Sequence, residues 1–278
     1  MEDRVRLRLG VSYDGTAYSG WAVQPSRPTV AGEVVRALTL LFRDIEDFTV
    51  AGRTDAGVHA TGQVVHVDVE RSAWEDLREK LLWRLRGILP PDVRVTSAEE
   101  VDPVFSARFA AEWRRYTYRV SDHRWGVEPL RRADTLPWPR PLDVEKMNDA
   151  CQRLLGEHDF VGFCKQREGA TTIRALLDYS WERDADGTAV ATVRADAFCH
   201  SMVRSLVGAA LAVGDGRRGE EWLSSILTLG HRANDVHVVP PNGLTLVEVH
   251  YSDDPARWAE RVHRIKRVRT LGTDGPGA

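Results

Sequence analysis

Hydrophobic and polar residues alternate from Arg4 to Tyr13, with arginines at the first polar positions. Successive side chains of a strand point to opposite faces, so this stretch predicts a half-buried β-strand. Apolar residues then recur at helical spacing and predict an amphipathic helix over residues 29–42. A strand near Phe48–Ala51 and another that carries valines at alternate positions over residues 65–69 follow it.

The segments that follow complete a pattern that the second half of the chain repeats. Ser72 and Glu75 have the spacing of a capping box and predict a helix that continues to Ile88, before a short strand at Val93–Val95. Further along, the same reasoning predicts a strand over 113–120, a helix over 143–155, strands over 173–183 and 189–195, helices over 201–213 and 220–229, and a strand over 244–251.

The order strand, helix, strand, strand, helix, strand predicts an α+β protein made of two split βαβ, or ferredoxin-like, halves. In such halves the sheet is antiparallel and the helices pack on one of its faces. We therefore predict an N-terminal half over residues 1–104, a C-terminal half over 105–252 and a charged tail over 253–278. An active-site cleft would lie between the halves, and the loop after the second strand could overhang it.

Composition adds limits to this architecture. The 278 residues are 42% hydrophobic, which is typical of a globular protein, and no apolar run approaches the roughly 18 residues needed to span a bilayer. Cys151, Cys164 and Cys199 form no C-x-x-C pair, and we interpret them as reduced thiols of a cytoplasmic protein without disulfide or zinc cluster. A net charge of -3 leaves RNA binding open, because that needs only local positive potential.

The connection between the second and third predicted strands is rich in glycine and holds one carboxylate, Asp55. Thr54 to Gly57 alone would predict a turn, because aspartate bonds its own backbone and glycine takes positive φ. The longer run Gly-Arg-Thr-Asp-Ala-Gly-Val-His-Ala, over residues 52–60, closely resembles a motif of the tRNA pseudouridine synthase A family.

Three further regions resemble the same family and occur in the same order along the chain. They are Tyr-Asp-Gly-Thr-x-Tyr-x-Gly-Trp over residues 13–21, Phe-Ser-Ala-Arg-Phe with Arg-Arg-Tyr-Thr-Tyr within 105–118, and Ala-Phe-x-His-x-Met-Val-Arg-x-x-Val-Gly over 197–208. Two positions depart from the family pattern: Ala22 stands where glutamine is usual, and Arg86 stands in a segment where asparagine often precedes Leu-Pro. Both departures bear on substrate contacts before they bear on activity.

The resemblance implies an isomerase that converts uridine to pseudouridine in the anticodon stem-loop of tRNA without cofactor or metal. By position in the motifs, Asp55 would be the nucleophile, whether at the base or at the sugar, and Arg204 the counter-ion that keeps it ionised. Tyr116 would pack on the target base, since an extruded base has lost its neighbours' stacking, and Arg53 would displace the nucleotide. The family also implies a homodimer with one tRNA across both subunits.

Several of these residues have simpler structural interpretations. Arg204 is the single charged side chain between Ser201 and Val213, in a helix apolar all round, where an arginine needs an ion-pair partner. Without the resemblance, a fold-stabilising ion pair would be preferred. Tyr18 and Trp21 could be core residues or RNA contacts, Tyr118 a buried strand residue, and Arg53 a plain phosphate contact.

The RNA-binding surface and the class of reaction each have alternative interpretations. In a dimer, basic residues could together bind a polyanion: Arg108, Arg114, Arg115, Arg131 and Arg132. The arginines of the tail are first a solvated helix face and second an RNA contact. A catalytically silent tRNA-binding protein and a metal-dependent phosphodiesterase using Asp14, Asp55 and His59 are the rival functions, although His59, His66 and Asp68 lack ligand spacing.

Overall fold

The structure is a computed structural model that describes residues 3–165 and 171–264. The chain forms two compact units, one from residues up to 112 together with those from 245 onward, and the other from residues 113–244. The division therefore lies several residues beyond the predicted position at 104, and the last predicted strand is grouped with the first unit. Lys266, Arg267 and Arg269 of the predicted tail lie outside the described residues.

The first unit contains the four strands predicted for residues 1–104, in the predicted order. Its elements are β1 (Arg4–Tyr13), α1 (Val30–Phe42), β2 (Glu46–Val50), β3 (His59–Glu70), α2 (Arg71–Leu77), α3 (Leu81–Ile88), β4 (Val93–Val101), β10 (Leu244–His250) and α7 (Pro255–Arg264). Alternate residues of β1 are buried along its whole length, as the sequence pattern predicts.

The pairing of these strands follows the split βαβ order. β1 lies between β3 and β4, antiparallel to both, and β2 is antiparallel to β3. The prediction of purely antiparallel sheets is wrong, because β10 pairs with β3 in parallel, Thr245 opposite His59. The physical reason is that β10 comes from far along the chain, so no hairpin sets its direction.

The first helix of this unit agrees with the sequence prediction, and the second predicted helix does not. Thr29 caps α1, its side chain accepting a hydrogen bond from the Gly32 amide at 3.3 Å. The single helix predicted from the capping box is wrong: α2 ends at Leu77 and α3 begins at Leu81, and the Ser72 hydroxyl bonds the Glu70 carboxylate instead of a helix amide. α2 begins directly after β3, at Arg71, which places Ser72 inside the first turn rather than before it.

The second unit also combines β-strands with α-helices. Its elements are β5 (Trp113–Ser121), β6 (Leu136–Pro137), α4 (Val144–Gln152), β7 (Gly156–Asp159), β8 (Ile173–Arg183), β9 (Ala189–Ala195), α5 (Met202–Gly214) and α6 (Glu220–Ser225). β9 lies between β5 and β8, antiparallel to both, β7 pairs with β8, and β6 adds a parallel pair with β5. The sequence did not predict β6 or β7. No described helix is long and apolar enough to cross a membrane.

The cysteines depart from the prediction of three reduced thiols. Cys164 and Cys199 form a disulfide, with 5.8 Å between their Cα atoms. Cys164 follows a single 3-10 turn, Val161–Phe163, and the neighbouring Lys165 amide donates to the His200 carbonyl at 3.0 Å, so the fold brings the two segments together. A separation of 35 residues hides this proximity in the sequence. Cys151 is a free, buried thiol, and its burial raises its pKa to about 12.

Candidate active site

Asp55 lies in the loop between β2 and β3, and its own backbone forms the turn that the sequence predicts. The Asp55 carbonyl accepts from the Val58 amide at 3.2 Å, and Gly57 has φ +78°. The Ala51 amide closes the base of the loop on the Val64 carbonyl at 2.9 Å. The turn interpretation is thus correct for the local geometry, and it leaves the half-buried Asp55 side chain at the tip of a defined loop.

A second loop, residues 14–21 after β1, supports the first and is called here the support loop. The Trp21 amide donates to the Thr54 carbonyl at 3.1 Å, and the Gly57 amide donates to the Tyr18 carbonyl at 3.3 Å. Gly20, with φ +98°, lies so close that a Cβ there would be 2.9 Å from the Thr54 carbonyl oxygen. The backbone on both sides of Asp55 is therefore held from outside the loop.

Buried polar side chains also hold the loop that carries Asp55. The hydroxyls of Tyr13 and Thr54 are 2.7 Å apart, and Gln63 Nε2 donates to the Gly52 carbonyl at 2.9 Å and to the Tyr13 hydroxyl at 3.4 Å. Burial raises the pKa of Tyr13 to about 12. Sequence reasoning missed Gln63 as an anchor, although it is a polar residue on the same face of β3 as the buried Val65, Val67 and Val69.

Aromatic residues of the support loop belong to the core. Trp21 is 3% exposed and stacks on Phe48 with 6.4 Å between ring centroids. The Tyr18 hydroxyl donates to Asp92 at 2.7 Å, and burial together with this carboxylate raises the pKa of Tyr18. Of the two alternatives left open for these residues, core burial is the one that the structure supports. Arg53, by contrast, is exposed on the loop, as expected.

Tyr116 occupies the middle of β5 in the second unit. Its ring lies edge-on to Phe198, with centroids 5.1 Å apart and planes at 88°, and only 8% of the residue is exposed. The sequence shows Phe198 only as part of a motif, and the fold places its ring against Tyr116. Tyr118, two residues on, is fully buried and donates to the Pro240 carbonyl at 2.7 Å, which confirms its structural interpretation.

Arg204 lies in the first turn of α5, where every other residue of the helix is buried. Its Nε donates to the Val239 carbonyl at 2.7 Å, and the Val239 amide returns a longer bond of 3.4 Å to the Arg204 carbonyl. Burial raises the pKa of Tyr118, and the nearby charge of Arg204 opposes that rise. The predicted arginine is therefore held at the backbone of a segment 35 residues away, which the sequence did not show.

That segment, residues 237–243, is called here the strap. A Cβ at Gly208 would overlap the His237 carbonyl oxygen, and a Cβ at Gly243 would lie 2.6 Å from the Tyr118 ring. Glycine at both positions lets the strap lie directly on α5 and β5. The sequence predicts a strand from residue 244, directly after the strap, but it did not show the contact of the strap with Arg204.

The histidines considered as metal ligands are engaged in other contacts. His59 Nδ1 accepts from the Gly15 amide at 3.1 Å, and His66 Nδ1 accepts from the Ala107 amide at 2.9 Å. Burial is the main cause that lowers the pKa of His66. Within the described part of the chain, no three His, Cys, Asp or Glu side chains are placed to share a metal ion.

Comparison with known proteins identifies the family of this chain. A family model described as "tRNA pseudouridine synthase" matches residues 150–252. The chain is 55% identical over 275 residues to tRNA pseudouridine synthase A of Streptomyces avermitilis, covering 98% of this chain and 96% of that protein. It is 54% identical to the enzyme of Streptomyces griseus, covering 99% and 96%, and 53% identical to that of Frankia casuarinae, covering 95% and 96%. The chain belongs to the tRNA pseudouridine synthase A family, a family of isomerases.

Proposed function

We propose that this synthase modifies uridines of the tRNA anticodon stem-loop and that Asp55 is its nucleophile. The observation that carries the assignment is the loop itself: a single carboxylate, half-buried, on a backbone that the support loop and the Tyr13, Thr54 and Gln63 side chains hold in place. A nucleophile needs such fixed geometry, because catalysis depends on the orientation of the reacting groups.

The reaction is an isomerisation whose atoms balance without a cofactor or metal. The C1′–N1 glycosidic bond of the uridine breaks, the uracil turns, and a C1′–C5 bond forms. The C5 proton leaves to solvent and N1 gains a proton. Asp55 would hold the detached fragment through a transient covalent bond, at either the base or the sugar.

Three further residues would assist Asp55: Arg204 and Tyr116 of the second unit, and Arg53 of the loop that carries Asp55. Arg204 would be the counter-ion that keeps Asp55 ionised, which the fixed position of its guanidinium on the strap supports. Tyr116 would stack on the extruded base, with Phe198 holding its ring. Arg53, exposed beside Asp55, would enter the RNA and displace the target nucleotide.

The tRNA would lie across a homodimer. Pairing two chains would bring their basic surfaces together, which explains how a chain of net charge -3 binds a polyanion. Sedimentation equilibrium at micromolar concentration should give twice the chain mass, and a monomer that modifies tRNA would remove the dimer from the mechanism.

Tritium release from tRNA labelled at uridine C5, with a chelator present, tests the nucleophile. We expect release with the wild type, none with Asp55→Asn, and a tRNA affinity within a small factor of wild type, because one carboxylate is neutralised and no phosphate contact is lost. Asp76→Asn, at an exposed carboxylate of α2, is the matched control and should release tritium normally.

The rival functions give different outcomes in the same assay. A silent tRNA-binding protein would bind tRNA and release no tritium even as the wild type. A metal-dependent phosphodiesterase would cleave the RNA, and the chelator would stop it. A large loss of tRNA binding by Asp55→Asn would mean that Asp55 is a binding residue and not the nucleophile.

A further inference from the structure

An open groove of about 390 Å³ lies on the first unit, between α1 and the end of α3. Trp83 forms one side of it and is 72% exposed, which is unusual for the largest apolar side chain. The groove is lined by Leu41, Trp83, Arg84, Arg86, Gly87 and Ile88, and it is called here the Trp83 groove. An exposed tryptophan beside a concave surface is typical of a contact site.

The charges of the Trp83 groove are all of one sign. Its lining holds two arginines and no acid. Neither Arg84 nor Arg86 has a side-chain hydrogen bond or ion pair to any residue that the structure describes, and both are exposed. Arg36, whose guanidinium donates to the Ile88 carbonyl at 3.3 Å, adds a third positive group at the margin, although it is paired with Glu33.

This chemistry fits RNA better than a protein surface. Unpaired guanidinium groups bind phosphates, and a free indole face takes a base or a ribose. A second copy of this chain fits poorly, because a symmetric contact would bring four arginines together without an acid between them. The chain is acidic overall, so a purely positive apolar groove is a local exception, and tRNA is the polyanion on which its family acts.

We propose that the Trp83 groove is a tRNA-docking surface, in which Arg84 and Arg86 neutralise phosphates and Trp83 packs on an exposed base or ribose. The proposal rests on tRNA being the substrate and on no assignment within the active site.

Gly87 allows a sharp test, because the space around it is empty. A Cβ at this helical glycine would meet nothing within 4 Å, so Gly87→Glu should fold normally while it places a negative charge in the groove. Gly219→Glu is the matched control: Gly219 is exposed, has equally empty surroundings, and gives the same change in net charge. Trp83→Ala is paired in the same way with Trp125→Ala, at a tryptophan that is 65% exposed in the second unit.

Affinity for an unmodified tRNA transcript is measured by filter binding over a range of salt concentrations. Gly87→Glu and Trp83→Ala should each weaken binding about tenfold, the effect of losing one stacking contact. The double variant Arg84→Ala/Arg86→Ala should also lower the slope of log affinity against log salt by about one to two. The two control variants should match the wild type.

Wild-type affinity and slope in all the groove variants would overturn the proposal. A fall in sedimenting mass of Gly87→Glu, in parallel with its affinity, would assign the groove to a second copy of the chain and would overturn it as well. If the wild type itself bound no tRNA, the proposed function would fail rather than the groove alone.

Discussion

Single residues around Asp55 hold the backbone on which it lies. Thr54 is held twice, its hydroxyl by Tyr13 and its carbonyl by the Trp21 amide. These bonds are buried, where a hydrogen bond is costly to break because the freed groups cannot reach water. A loop fixed in this way would lose little conformational entropy on binding a substrate.

The raised pKa of Tyr13 predicts a pH dependence of stability. Tyr13 stays neutral in the folded protein up to about pH 12, whereas an unfolded tyrosine ionises near pH 10. Above pH 10 the unfolded state therefore binds fewer protons, and stability falls as pH rises. Relative to Tyr13→Phe, the wild type should lose about 1.4 kcal/mol of unfolding free energy between pH 8 and pH 11.

Urea titrations of both proteins at these two pH values check this prediction. Other buried tyrosines contribute equally to the wild type and the variant, so the difference between the two isolates Tyr13. A difference that does not change with pH would show that Tyr13 ionises as readily in the folded protein as in the unfolded chain.

Two substitutions of Arg204 separate the effect of its charge from the effect of its hydrogen bond to Val239. Arg204→Met removes both, so activity at pH 7 should fall sharply and stability by about 1.5 to 3 kcal/mol, since the Val239 carbonyl loses a charged donor. Arg204→Lys keeps the charge and should retain more activity than the methionine variant. Single-turnover tritium release and urea unfolding measure the two effects, and unchanged activity of Arg204→Met would remove Arg204 from the site.

At the level of elements, α5 and the strap pack closely and together hold Arg204. The strap lies against α5 at Gly208, where the missing side chain leaves space. Its Pro240 carbonyl accepts a hydrogen bond from the Tyr118 hydroxyl of β5, and its Val239 carbonyl accepts one from Arg204 Nε. Close backbone approach of this kind requires glycine, because a Cβ would occupy the space of the strap. The position of Arg204 therefore depends on a helix glycine one turn further along the chain.

Two helical glycines should respond to alanine in opposite ways. Gly208→Ala should cost about 1 to 3 kcal/mol and lower activity, because its methyl group would push the His237 carbonyl and the strap away from Arg204. Gly87→Ala, in open surroundings at the end of α3, should stabilise by up to about 1 kcal/mol through helix propensity. Thermal unfolding and tritium release of the two variants check both signs, and a Gly208→Ala variant with normal activity would show that the strap does not position Arg204.

Over the whole molecule, the chain is organised by contacts between segments far apart in sequence. The first unit contains residues from both ends of the described chain, because β10 returns to pair with β3. In the second unit, the disulfide joins the segment after β7 to the one that precedes α5. Both features close long loops. The disulfide constrains the unfolded chain, because it is covalent, whereas the pairing of β10 with β3 costs loop-closure entropy each time the chain folds.

The disulfide predicts the number of thiols. Denatured protein without reductant should show one reactive thiol per chain, Cys151, and three after reduction. Closing a loop between residues 35 apart should contribute about 3 to 4 kcal/mol, which reduction removes. Thiol titration and urea unfolding measure both, with Cys164→Ser, which should show two thiols, as the control. Three thiols in the unreduced protein would contradict the bond.

Local periodicity determined a large part of this structure by itself. The bounds of β1, β8 and β9 coincide with the predicted ones, and α1 begins one residue after its predicted start, since alternation and helical spacing act between near neighbours. The motifs also identified the family, which full-length relatives confirm. The roles of Asp55, Arg204, Tyr116 and Arg53 stay predictions.

Only the tertiary structure decided which distant residues meet. Four of these contacts join positions that neither the helical nor the strand periodicity of the sequence relates. They are Gln63 with Gly52 and Tyr13, Arg204 with Val239, Cys164 with Cys199, and β10 with β3. Each contact depends on the packing of whole elements, which brings the side chains together only after strands and helices have formed. The sequence therefore determined the elements and the candidate residues, and the fold decided what holds them in place.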